Sequence, residues 1–117
     1  MYFFIEQTNE LIKSLNNVLS ENDFDVVDEI WNRTNETMYN KYNMPAVYLF
    51  EDGYSKGDAT DEELSSLAER VKSDSGKDCY YNNENDESLF KSLDKEFISI
   101  FSEKVNIEIN IRTSSPE

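Results

Sequence analysis

Histidine is absent from this chain of 117 residues. Its absence removes Ser-His-Asp and Cys-His nucleophile pairs, and the imidazole ligands of most zinc and copper sites. Cys79 is the only cysteine, so no disulfide can form within the chain and a reducing compartment is expected. With no imidazole to activate it, its sulfur reads as a small buried apolar group. The 3 glycines are scattered, which leaves neither a GxGxxG turn nor a P-loop. Long apolar runs are missing too: nothing approaches the roughly 18 residues of a membrane span. The opening "MYFFIEQTNELIK" has no basic segment ahead of an apolar one, so it does not read as a signal peptide. The glycosylation sequons "NRT" (32–34) and "NET" (35–37) are therefore expected to be accidental. A cytoplasmic monomer is expected, with no membrane contact and no cofactor.

Bases are scarce. The chain has 11 Lys and Arg against 25 Asp and Glu, a formal net charge of −14. The bases stand singly, usually with an acid within four positions, and make no stripe that would track a phosphate backbone. Direct binding of DNA or RNA is not expected. Such a surface repels anionic membranes and is steered toward basic partners, or serves solubility alone. One catalytic option survives, a carboxylate-only site of the glycosidase or magnesium type. With 25 carboxylates, some pair will meet its distance requirement by chance, and the expectation is no enzymatic activity. A calcium loop fails in detail. Written from Asp52 to Glu63 it places Gly57 and Glu63 well, but Tyr54 and Lys56 fall where ligating oxygens are required.

What is present suffices for a core. Leu, Ile, Val and Phe make up about a quarter of the residues, above the roughly 20 per cent below which highly charged chains fail to fold. The length suits one domain. Over 3–19 a helical stripe runs through Phe4, Thr8, Leu11, Ile12, Leu15, Val18 and Leu19. Ser20 to Asp23 offers caps for a second helix. Its stripe is Phe24, Val27, Ile30/Trp31, Thr34 and Met38, and it ends near Tyr42 because Pro45 disfavours helix before it. "AVYLF" (46–50) reads as a strand, "EDG" as a turn and "GYSKGDA" as a loop. Thr60 to Glu63 form a capping box opening a helix along Leu64, Leu67/Ala68 and Val71. "DCYY" (78–81) is a weak strand candidate. Residues 86–103 make another helix on Leu89/Phe90, Leu93, Phe97 and Ile100/Phe101. Val105, Ile107, Ile109 and Ile111 alternate with polar residues and read as a half-exposed strand. The expected fold is a single helix-rich α+β domain over 1–112 with about three strands, and 113–117 as a flexible tail.

The acids are not evenly spread. Three segments, 21–36, 51–63 and 74–87, hold 17 of the 25 acids and only Arg33, Lys56 and Lys77 among the bases. The candidate partner-binding residues are Asp25, Asp28, Glu29 and Glu36 on the outer face of the second helix. The other segments add Glu51, Asp52, Asp58, Asp61 and Glu62, then Asp74, Asp78 and Glu84. Carboxylates one helical turn apart advance about 5.4 Å, and phosphates about 3.4 Å per nucleotide. A row of acids can therefore meet lysines and arginines placed for DNA. Asp61, Glu62 and Glu63 have a second explanation, since the dipole at a helix start favours acids, and Asp23, Asp25, Asp86 and Glu87 partly share it.

In size, charge and cluster layout the chain resembles small bacterial DNA-mimic proteins of the monomeric type that engages the histone-like nucleoid protein HU. The resemblance covers the whole chain as a profile and carries no motif. It implies a cytoplasmic monomer that occupies the DNA-binding face of HU and loosens DNA from it. Two other inhibitors share the charge pattern: an immunity protein plugging a nuclease toxin, and a phage anti-restriction or anti-CRISPR protein.

Overall fold

Four helices and one hairpin carry the fold among the described residues. They are α1 (Phe3–Asn16), α2 (Val26–Tyr42), β1 (Tyr48–Phe50), β2 (Gly53–Ser55), α3 (Asp61–Ser75) and α4 (Glu87–Thr113). The computed structural model describes residues 3–20, 23, 25–44 and 46–114, with side chains from residue 6 onward. Phe4, Phe24 and Pro45, invoked above, lie outside the described side chains.

The long helix α4 organises the rest. Leu89, Leu93, Phe97, Phe101 and Val105 form a fully buried stripe along it. Helices α1, α2 and α3 all pack against α4, and Leu15, Ile30, Met38, Leu64, Leu67 and Val71 are buried with its stripe in one core. Trp31 sets its ring edge-on to Phe97 at 4.8 Å and to Phe101 at 5.5 Å. Thr34, buried with them, spends its hydroxyl on the Ile30 carbonyl at 2.7 Å, so it costs no unsatisfied polar group.

Residues 105–111 correct the strand expectation: they continue α4. Every second residue in this stretch is β-branched, but every fourth also falls on the helix stripe. Val105 is buried and Ile109 half-buried against the core. Intrinsic strand preference spans only about 1 kcal/mol, less than burying one large apolar side chain contributes. The helix pays in exposure, with Ile107 and Ile111 left 51% and 64% exposed. Arg112 in the last turn then bonds Glu108 at 2.7 Å and Asp23 at 2.9 Å, tying the α1–α2 connection to the end of α4. Thr113, expected in the tail, is helical, and 115–117 lie outside the described residues.

The sheet has two strands, not three. The loop expected at 53–59 begins with β2, which pairs antiparallel with β1 in the register Leu49 to Tyr54. Residues 78–81 form no strand. Gly53 adopts a φ of 122° in this tight connection, and a Cβ there would sit 2.5 Å from the Asp94 carboxylate. Only glycine fits both demands. The Tyr54 hydroxyl donates to Asn35 at 3.1 Å, joining the hairpin to α2.

Helix starts divide in two. Asp25 and Asp86, the residues before α2 and α4, make no side-chain cap, and Asp23 instead accepts from the Ser20 N–H and hydroxyl. At α3 the capping box is complete: Thr60 Oγ1 accepts the Glu63 N–H at 3.1 Å, and Glu63 accepts the Thr60 N–H at 2.9 Å. Thr60→Ala should therefore cost about 1 kcal/mol while Thr60→Ser costs little. Thermal melts of the two variants check this; equal melting temperatures would mean that the box contributes nothing.

Candidate acidic interface

The candidate acids fall into two groups by what surrounds them. Glu29, Asp61 and Asp74 are engaged with cations. Glu29 lies 3.9 Å from Arg33 on the exposed face of α2. Asp61 accepts the Tyr81 hydroxyl at 2.7 Å and meets Lys56 at 3.3 Å. Both contacts hold its carboxyl below the usual range, the tyrosine bond first. Asp74 lies 3.1 Å from the Lys41 ammonium and accepts the Tyr42 hydroxyl at 3.1 Å. Glu96 joins the same cluster from α4 at 3.3 Å from Lys41. That clasp binds the ends of α2 and α3 to α4, and it lowers the Asp74 pKa, chiefly through Lys41.

The remaining candidates, Asp25, Asp28, Glu36, Glu51, Asp52, Asp58, Glu62, Asp78 and Glu84, are exposed and make no ion pair among the described residues. Asp58 accepts the Tyr48 hydroxyl. Glu62 lines a cleft between α3 and the segment after α2, beside Arg70, whose guanidinium is spent on the carbonyls of Tyr42 (2.7 Å) and Asn43 (3.3 Å). Asp25, Asp28, Glu29 and Glu36 share one face of α2, opposite the buried Ile30, Thr34 and Met38.

Tertiary structure joins two clusters that sequence keeps apart. Glu51, in the β1–β2 turn, and Asp28, near the start of α2, line the same groove of about 430 Å³ against α1. Its wall includes Ile12, Val27 and Trp31, and no lysine or arginine is among its lining residues. One residue further, Asp52 repels Asp94 on α4, whose spacing from Lys91 and Lys95 reads in the sequence as surface pairing but which is half-buried and pairs with neither lysine. Asp94 accepts the Tyr54 N–H at 2.9 Å. Burial raises its pKa to about 6, and that bond only partly opposes the rise. The signal available in the sequence was an acid one position beyond Leu93 on an otherwise apolar stripe.

The 52–63 segment divides into β2, a turn and the first turn of α3. Among the described residues no cluster of three or more Cys, Asp or Glu is arranged to hold a metal ion. Burial also pushes the Cys79 thiol above its ordinary value, away from the reactive thiolate. No helix among the described residues is long and apolar enough to cross a membrane. Comparison of the chain with protein-family models, curated proteins and solved structures finds no match.

Proposed function

We propose that this protein is an electrostatic decoy for a basic DNA-binding protein, occupying the site that duplex DNA would otherwise fill. The observation that carries this reading is the groove where Asp28 of α2 meets Glu51 of the β1–β2 turn with no lysine or arginine among its lining residues. A surface kept acidic for solubility alone needs no such convergence.

The first partner to test is the nucleoid protein HU, which the profile resemblance implies. Titrating this protein into an HU–DNA complex should release the DNA as the acidic protein reaches a few-fold excess. Binding should weaken steeply between about 50 and 200 mM salt, because exposed ion pairs are screened over roughly 10 Å. Its salt slope should be shallower than that of DNA, since a folded protein has no comparably condensed counterion layer to release. DNA that stays bound at a large excess would rule out HU.

A further inference from the structure

We infer that the groove between α1, α2 and the β1–β2 turn is the receiving slot for a single arginine side chain of the basic partner. The inference deepens the decoy reading and rests on it. Asp28 and Glu51 flank the groove from two different elements, while Ile12, Val27 and Trp31 supply an apolar wall. Asp28 and Glu51 make no ion pair among the described residues, and no base lines the groove to neutralise them. A volume of about 430 Å³ lies at the small end of ligand sites, about 300–1,000 Å³, and suits one long side chain rather than a helix.

The chemistry of the wall selects arginine over lysine. A guanidinium is planar, weakly hydrated and able to lie against an indole, and it presents donors in several directions at once. Two carboxylates on separate elements can each take a pair of those donors. The methylene stem covers Ile12 and Val27 as the charged head stays at the rim. Lysine offers a compact, strongly hydrated charge, with no plane to lie flat on the indole and no fork to pair a carboxylate through two parallel bonds. Phosphate in DNA selects the same arginine head, so the slot captures what the partner already uses to hold DNA.

Trp31 is the only tryptophan in the chain and lines the groove, so its emission reports occupancy. The probe is acetyl-Gly-Arg-Gly-amide, compared with the lysine and citrulline versions of the same peptide. Saturable change in Trp31 emission is expected with the arginine peptide, at least threefold weaker binding with lysine, and at least tenfold weaker binding with citrulline. Asp28→Asn combined with Glu51→Gln should weaken the arginine peptide at least tenfold. Glu69→Gln on α3 combined with Glu103→Gln on α4, two exposed acids that do not line the groove, should leave it unchanged. Equal binding of the citrulline peptide, or indifference to the Asp28/Glu51 pair, would overturn the inference. Release of HU-bound DNA without any arginine response at Trp31 would sink the slot and leave the decoy standing. An arginine response without release of DNA from any basic DNA-binding protein would sink the decoy instead.

Discussion

Replacing Asp25, Asp28 and Glu29 together with lysine is expected to weaken binding to the basic partner by at least about 100-fold, with the fold retained. The substitution changes the local charge by six units on a face that carries only Arg33 as a base. Each lysine then repels the surface that each carboxylate attracted, and like charges juxtaposed across an interface cost several kcal/mol. The fold should survive because all three residues are exposed and oppose the buried side of α2. Asp25 makes no cap hydrogen bond. The Glu29–Arg33 pair, at 3.9 Å and well exposed, contributes at most a few tenths of a kcal/mol. Placing cations in the first turn does oppose the helix dipole, at about 0.3–1 kcal/mol each, so the melting temperature should fall by several degrees. Circular dichroism separates that loss from unfolding. Competition with duplex DNA then measures affinity at low and moderate salt. Reversal of Glu51 should act in the same direction, because it shares the groove with Asp28. Unchanged binding in the triple variant would mean that this face is not the interface.

Asp94→Asn should stabilise the protein at pH 8 and do almost nothing at about pH 3, below the ordinary carboxylate value. Asp94 has its pKa raised from 3.8 to about 6, first by burial, with a smaller contribution from Asp52. A carboxyl raised on folding binds its proton more tightly in the native state, so its contribution is fully present below about pH 4. It is lost as pH climbs through about 6. The full shift corresponds to about 3 kcal/mol. Partial solvent access reduces the expected gain to on the order of 2 kcal/mol, several degrees in melting temperature for a domain this size. The asparagine carbonyl still accepts the Tyr54 N–H, so the hairpin keeps its anchor. Asp61 and Asp74, whose carboxyls are lowered by their partners, act with the opposite sign. Their contributions are present above about pH 4 and disappear as acid protonates them. Native stability should therefore peak between about pH 4 and 6, and Asp94→Asn should flatten only the alkaline side. Loss of stability at pH 8 in this variant would show that the ionised carboxylate anchors the hairpin more than burial penalises it.

Periodicity and end signals made most of the helical skeleton legible. The stripes through Leu15, Thr34/Met38, Leu64/Val71 and Leu93/Phe97 are buried as expected. They repeat at 3.6 residues over at least three turns, and no other structure places such residues on one side. The Thr60–Glu63 box marks its helix start because both of its bonds are local. Where the pattern suited two periods, sequence failed. Val105 to Ile111 satisfies alternation and a helix stripe together, and packing against elements remote in sequence decides between them by burying Val105. Strand β2 escaped notice because three residues with a glycine first show no period at all; what makes it a strand is its pairing with β1 and the Asp94 bond from across the chain.

The acidic interface divides along the same line. Composition alone determines that the chain is strongly anionic and that its acids crowd into segments poor in bases. Helical spacing determines that Asp25, Asp28, Glu29 and Glu36 face away from the core of α2. Only the tertiary structure decides that Glu51 comes to face Asp28, while Asp74 is drawn into a clasp with Lys41 and Tyr42. The reason is range. Burial and helix phase are set by neighbours within a few turns, whereas the pairing of a charge depends on which distant element packing brings within about 4 Å.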